Sequence, residues 1–140
     1  MKQRVLFLCT HNANRSQMAE GLVNHFLGDR WDACSAGTEA TMVNPRATRA
    51  MAELGIDISS QRSKNLAEFE GQSFDRVITL CGDAAETCPL FVGGVRREHL
   101  GFADPSRAAG TEEEIMAEFR RVRDEMREKL TTHLTGDSHE

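Results

Sequence analysis

Cys9-Thr10-His11-Asn12-Ala13-Asn14-Arg15-Ser16 places five residues between a cysteine and an arginine, with a serine directly behind. A loop that runs from a strand into the start of a helix turns several backbone N–H groups inward and makes a cradle for an anion. Arg15 can add a bidentate fork to two oxygens of a tetrahedral anion. The same positive field favours Cys9 as a thiolate, because thiol pKa values in such settings fall from about 8.5 to roughly 3.5–7.5. Ser16 can donate a further hydrogen bond to that sulfur. A tight cradle needs a residue in the left-handed backbone region. His11 and Asn12 are the candidates, and Asn12 is the better suited. Alone, C-x5-R is a short pattern that chance produces easily, and its bland reading is a buried cysteine beside a surface arginine. At a strand-to-helix junction it becomes specific.

Two further groups complete a chemistry. Asp104-Pro105 follows Gly101-Phe102-Ala103. In isolation it is a turn signal, but beside an oxyanion loop Asp104 can protonate a departing oxygen, on a segment stiffened by Pro105. Cys81 and Cys88 lie seven residues apart. A hydrolase using Cys9 needs no second thiol, whereas a reductase needs two electrons and a thiol pair supplies them. If the segment between them is helical, their Cα atoms stand roughly 10 Å apart at about 1.5 Å per residue. A disulfide needs about 4.4–6.8 Å, so that bond requires the segment to unwind. The bland alternative is two unrelated buried thiols. A zinc site of these cysteines with His99 is disfavoured, since no C-x2-C pair is present. Cys34 reads as core packing within a strand, and His25, His133 and His139 read as solvated.

The elements that must position these groups follow from periodicity. Val5–Leu8 is a short apolar run expected as a buried parallel strand. A helix follows the loop, with Met18, Leu22 and Phe26 on one ladder and Ala19, Val23 and Leu27 beside it. Gly28 is its expected stop. Trp31–Ser35 is a second strand, ended by Gly37. Asn44-Pro45 starts a second helix with Ala47, Ala50, Met51 and Leu54 as its stripe and Gly55 as its end. A short helix is expected around Leu66–Phe69, a third strand over Phe74–Leu80 and a brief fourth over Glu98–Leu100. Thr111 and Glu114 form a capping-box pattern for a long last helix, with Ile115, Phe119, Val122, Met126 and Leu130 inward. Acidic residues crowd its start and basic ones its later turns, which suits the helix dipole.

This order predicts an α/β three-layer sandwich, a four-stranded parallel sheet with helices on both faces. In such folds ligands bind beyond the carboxyl ends of the strands, where Cys9, Cys81 and Cys88 fall. Positions 1–134 are expected as one oxyanion-binding catalytic domain and 135–140 as a flexible tail. With 140 residues and a formal net charge of −5, a single core without staples is expected, and nucleic acid is not expected as a partner. The apolar run at Val5–Leu8 is too short for a signal peptide or a membrane span. A cytoplasmic protein is therefore expected, and four cysteines in such a chain point to catalysis or metal binding rather than staples.

The chain resembles the thioredoxin-coupled arsenate reductases, which share the fold of low-molecular-weight protein tyrosine phosphatases. The resemblance covers nearly the whole length. Beyond Cys9–Ser16 it includes Gln17-Met18-Ala19-Glu20-Gly21, Ser35-Ala36-Gly37, Gly55-Ile56-Asp57-Ile58-Ser59, Leu80-Cys81-Gly82-Asp83, Cys88-Pro89, Asp104-Pro105, Gly110 to Glu114 and Arg121 to Glu125. It implies that Cys9 attacks arsenate and Asp104 protonates the departing oxygen. Cys81 then attacks the arseno-cysteine, arsenite leaves and a Cys9–Cys81 disulfide forms. Cys88 attacks Cys81, and thioredoxin reduces the resulting Cys81–Cys88 disulfide. It also implies a role in arsenic detoxification; no bound cofactor and a monomer are expected.

The loop departs from the family pattern. His11, Ala13 and Asn14 stand where the family usually carries Gly, Ser and Cys, which leaves the three working thiols in place. Some members hold a potassium ion beside the loop at positions matching Asn12, Glu20, Ser35 and an aspartate. Lys64 stands at the aspartate position here, and its ammonium is expected to replace the ion. The main rival is a tyrosine phosphatase of the same fold. The tyrosines that frame an aryl phosphate in that family are missing, since the chain has no tyrosine and Ser106-Arg107-Ala108 follows Pro105. A phosphocysteine carrier or a non-catalytic oxyanion-binding domain would leave Arg15, Asp104 and the extra thiols without a shared purpose.

Overall fold

The computed structural model describes residues 2–81 and 94–136. Four strands carry the fold: β1 (Gln3–Leu8), β2 (Trp31–Ala36), β3 (Phe74–Cys81) and β4 (Gly94–Phe102). They pair in parallel in the order β2-β1-β3-β4. Three α-helices join them: α1 (Arg15–Phe26), α2 (Pro45–Ala52) and α3 (Glu112–Gly136). Short 3-10 turns lie at Leu66–Phe69 and Pro105–Arg107.

Strand alternation sorts the core into two layers. Val5, Phe7, Ala33, Ile78 and Leu80 join Met18, Leu22, Ala50, Met51, Phe119, Val122 and Met126, so all three α-helices share one apolar layer. Leu6, Leu8, Ala36 and Val77 face the other way and meet Phe69 and Leu66 of the 3-10 turn. The sheet is thus covered by helical segments on both faces, as expected.

The helix signals act as read. The Asn44 side chain accepts from the Arg46 N–H at 2.9 Å and Pro45 opens α2. Thr111 and Glu114 exchange both bonds of a capping box, at 3.0 and 3.2 Å. Leu27 ends α1, one residue before Gly28. The expected strands are too short. β1 begins at Gln3, whose partner is Trp31, because main-chain pairing continues past the apolar run. β4 spans Gly94–Phe102 rather than Glu98–Leu100. As an edge strand it carries Arg96, Arg97, Glu98 and His99 and gives no apolar run to detect. α3 runs two residues past Leu134, to Gly136.

The register fixes which chain segments meet. Leu8 pairs with Thr79, so β1 and β3 end side by side, and Cys9 follows one while Cys81 ends the other. Cys81 pairs with Phe102 across an irregularity in the β3–β4 ladder, and Asp104 lies two residues on. Cys9, Cys81 and Asp104 therefore collect at one edge of the sheet, at the carboxyl ends of neighbouring strands.

Candidate active site

The loop between β1 and α1 is held from outside. Its carbonyls at Thr10, His11, Asn12, Ala13 and Asn14 accept in turn from Glu39 N (2.9 Å), Ser63 Oγ (2.9 Å), Gln17 Nε2 (3.1 Å), Asn44 N (3.0 Å) and Met18 N (2.9 Å). The Cys9 N–H donates to Ala36 O at 3.2 Å. None of the described hydrogen bonds uses the backbone N–H of His11, Ala13, Asn14 or Ser16. With the carbonyls turned out and satisfied, the amides are left to face an anion.

Asn12 makes the turn possible. It is fully buried with φ 52°, and no other described non-glycine residue has a positive φ. Its side chain is locked: Oδ1 accepts from Gln17 Nε2 at 2.8 Å and from Lys64 N at 2.8 Å, and Nδ2 donates to Ser16 Oγ at 2.7 Å. Because Ser16 Oγ accepts that bond, its own proton remains for another acceptor. Gln17, in turn, accepts from Gln61 Nε2 at 2.7 Å and donates to Arg62 O at 2.9 Å. Gly37 closes the loop from below. A Cβ there would stand 2.5 Å from Thr10 O, 2.6 Å from Cys9 O and 3.0 Å from Asn12 N.

Arg15 opens α1 and is 3 % exposed. Its Nη1 donates to Phe102 O at 3.0 Å, and its Nη2 lies 3.7 Å from Asp104 Oδ2. This links the first strand's loop to the end of the last strand. Asp104 Oδ1 accepts from Ser106 N at 3.0 Å and from Ser106 Oγ at 2.7 Å. One carboxylate oxygen is therefore pinned while the other faces the guanidinium. Cys9 and Cys81 are both buried, and neither they nor Cys34 forms a disulfide. Cys88 lies outside the described residues.

Beside the loop, Ser35 Oγ donates to Glu20 Oε1 at 2.6 Å, and Lys64 Nζ lies 3.4 Å from the same oxygen and 3.0 Å from Arg62 O. Asn12, Glu20, Ser35 and Lys64 are thus one cluster, with the Lys64 ammonium inside it. Cys34 is half-buried near Glu20, and burial and that carboxylate push its thiol above the ordinary value. His133 corrects an expectation. It is not freely solvated but meets Glu98 Oε2 at 2.9 Å, tying the last turn of α3 to β4. His25 rests edge-on against Phe26.

Local pattern revealed Cys9, Arg15 and Asn12. The supporting roles of Gly37, Ser63 and Glu39 were not legible, because each reaches the loop only through tertiary contact. The one available signal was Gly37, a glycine directly after an apolar strand.

The fold and the loop define a class, and comparison with known proteins names it. The family model for low molecular weight phosphotyrosine protein phosphatase matches residues 4–138, and the chain belongs to this family. Within it, the chain is 54% identical over 126 residues to an arsenate reductase of Bacillus subtilis (strain 168), covering 90% of this chain and 91% of that one. A solved structure of an arsenate reductase in the phosphate binding state superposes with a TM-score of 0.81 at 33% identity, covering 97% of this chain and 98% of that one. A thioredoxin-dependent arsenate reductase of Corynebacterium glutamicum superposes with a TM-score of 0.66 at 26% identity, covering 96% of this chain and 63% of that one.

Proposed function

We propose that this protein reduces arsenate to arsenite, with Cys9 as nucleophile and thioredoxin as the source of electrons. The observation that carries the reading is the loop itself, with its carbonyls satisfied from outside, its amides turned in and Arg15 buried beside Asp104. The relatives described above, named as arsenate reductases, support the choice of arsenic as central atom.

The Cys9 thiolate attacks arsenic held by the amides of residues 10–16 and by Arg15. An S–As bond forms as an As–O bond breaks, and Asp104 supplies the proton with which that oxygen leaves as water. Ser16, whose proton is uncommitted, stabilises the Cys9 thiolate. Cys81, from the neighbouring strand end, then attacks the Cys9 sulfur. As the S–S bond forms, the electron pair of the S–As bond passes to arsenic, which departs as arsenite. Cys88 attacks Cys81 and frees Cys9, and a thioredoxin dithiol reduces the Cys81–Cys88 disulfide. The whole cycle uses no bound cofactor. We assign it to one cytoplasmic catalytic domain acting as a monomer. Among the described residues no helix is long and apolar enough to cross a membrane.

Lys64 takes the place of a monovalent cation in this reading, its ammonium meeting Glu20 beside Asn12 and Ser35. Turnover is then independent of potassium, and stimulation by potassium but not by sodium at equal ionic strength would contradict it. The family match favours slow hydrolysis of small aryl phosphates as a side activity of the same loop. The deciding experiment couples arsenate to NADPH oxidation through thioredoxin and its reductase. Steady arsenate-dependent oxidation that Cys9→Ser abolishes is expected. Rapid phosphotyrosine hydrolysis without any thiol reductant, and no arsenate-dependent oxidation, would replace this reading with the phosphatase one.

A further inference from the structure

Asn14 is the residue directly before α1, where a side chain normally caps the first turn. Asn44, Asn65 and Asp104 occupy the same place before their own turns, and each accepts from the backbone N–H two residues on. Asn14 makes no such bond. Its Oδ1 is shielded from solvent and accepts no hydrogen bond. A buried acceptor without a donor is costly to keep, and it sits here inside the anion loop itself.

The surroundings of Asn14 are donors. Arg15 follows it, and the amides of His11, Ala13, Asn14 and Ser16 carry no described protein partner. Donors alone hold any tetrahedral dianion of suitable size and do not distinguish one that carries a hydroxyl from one that does not. A single acceptor changes this, because only a protonated oxygen can satisfy it. Hydrogen arsenate and hydrogen phosphate carry one hydroxyl near neutral pH, whereas sulfate carries none. Asn14 also lines a cleft of ≈ 370 Å³ together with His11, Ala13 and Ser106. Ser106 donates to Asp104 from both its backbone N–H and its hydroxyl. Asn14 thus lines the same cleft as the residue that pins the acid.

We propose that Asn14 is a specificity-determining residue whose Oδ1 accepts the hydroxyl of a monoprotonated tetrahedral oxyanion, selecting hydrogen arsenate or hydrogen phosphate over sulfate. The inference rests on the oxyanion-reductase reading for its substrate, but its test needs no turnover. The bond also orients the anion. With the hydroxyl fixed by Asn14, the remaining oxygens are the ones left for the amides and Arg15.

The test is calorimetric titration of the reduced, full-length protein with sodium phosphate and with sodium sulfate at pH 8, where phosphate is chiefly the monoprotonated dianion. The wild type is expected to bind phosphate about tenfold or more tightly than sulfate, the worth of one added hydrogen bond in a shielded site. Asn14→Leu is expected to bring the ratio close to one by weakening phosphate alone. Asn14→Ser, which keeps an acceptor oxygen, is expected to retain most of the preference and carries the test if the leucine variant fails to fold. Equal weakening of both anions would show Asn14 to support the shape of the loop only and would overturn the proposal. An unchanged ratio in Asn14→Leu would do the same. A protein that showed this selectivity but failed to oxidise thioredoxin with arsenate would lose the reductase reading and keep this one.

Discussion

At the scale of single residues, Gly37 and Asp104 show how differently two positions serve one site. Gly37 touches no substrate, yet a methyl group there would press on Cys9 O and Thr10 O at distances no Cβ tolerates. Both obstacles are backbone atoms of the loop, so the loop must move. Gly37→Ala is expected to weaken phosphate binding about tenfold or more, at a stability cost of roughly 1–3 kcal/mol, read by calorimetry and urea unfolding. Asp104 acts directly. Asp104→Asn keeps the shape and the Ser106 contacts to Oδ1 but removes the proton donor, so kcat for arsenate is expected to fall by about 10²–10⁴. KM should change far less, and steady-state kinetics separates the two. Cys9, Arg15 and Asn12 were legible in the sequence because their roles arise within one loop. A tight cradle needs a left-handed residue, and asparagine supplies it at φ 52°. The parts played by Ser63 and Glu39 were not, since they come from distant segments and pattern alone does not place them against the loop.

At the scale of elements, the helices are fastened by groups the core does not use. Arg120 grips Glu53 at 3.0 Å and Glu113 at 2.7 Å, while the buried Arg123 donates to Ala50 O at 2.8 Å and to Glu53 at 2.9 Å. These bonds hold the end of α2 against α3. Arg46 in the first turn of α2 and Arg49 further along it both pair with Glu112. The Arg120 side chain, and after it Arg123, holds the Glu53 carboxyl below the usual range, and Arg46 does the same for Glu112. A carboxylate with a depressed folded pKa stabilises fully above its unfolded value, about 4.3 for Glu. That contribution is lost as pH falls through the lower folded value. Urea stability is therefore expected to fall on acidification below about pH 4.3 through these groups, and Arg120→Gln should flatten that acid limb by modestly lowering stability at neutral pH while leaving it little altered once Glu53 is protonated. A wild-type acid limb unchanged by Arg120→Gln would contradict this account. The capping signals were legible because each needs only local residues at fixed spacing. β4 was legible only in its middle, because Arg96, Arg97 and Glu98 face no second apolar layer at a sheet edge. Glu98 instead collects Arg76, Arg96 and His133, a polar clamp that periodicity does not show.

At the scale of the whole molecule, the sheet order decides the chemistry. The order β2-β1-β3-β4 puts β1 and β3 side by side and in parallel. A thiol just past the first and one at the end of the second therefore share an edge, although seventy-two positions separate Cys9 from Cys81 in the chain. The same order delivers Asp104 to Arg15 from the end of β4. The α/β class was legible from element order, since parallel strands linked by helices admit few arrangements. The pairing of β1 with β3 came from the structure, not from periodicity. In the proposed cycle the Cys9 and Cys81 thiols supply the two electrons that reduce arsenic, and Cys88 then frees Cys9 by taking over the disulfide. One measurement tests it most directly: reduced Cys88→Ser protein is mixed with excess arsenate, then arsenite is counted and the protein mapped by mass spectrometry. The account predicts about one arsenite per chain, then a halt, with Cys9 and Cys81 joined as a disulfide. Continued turnover of Cys88→Ser with thioredoxin, or a halted protein without that disulfide, would contradict it.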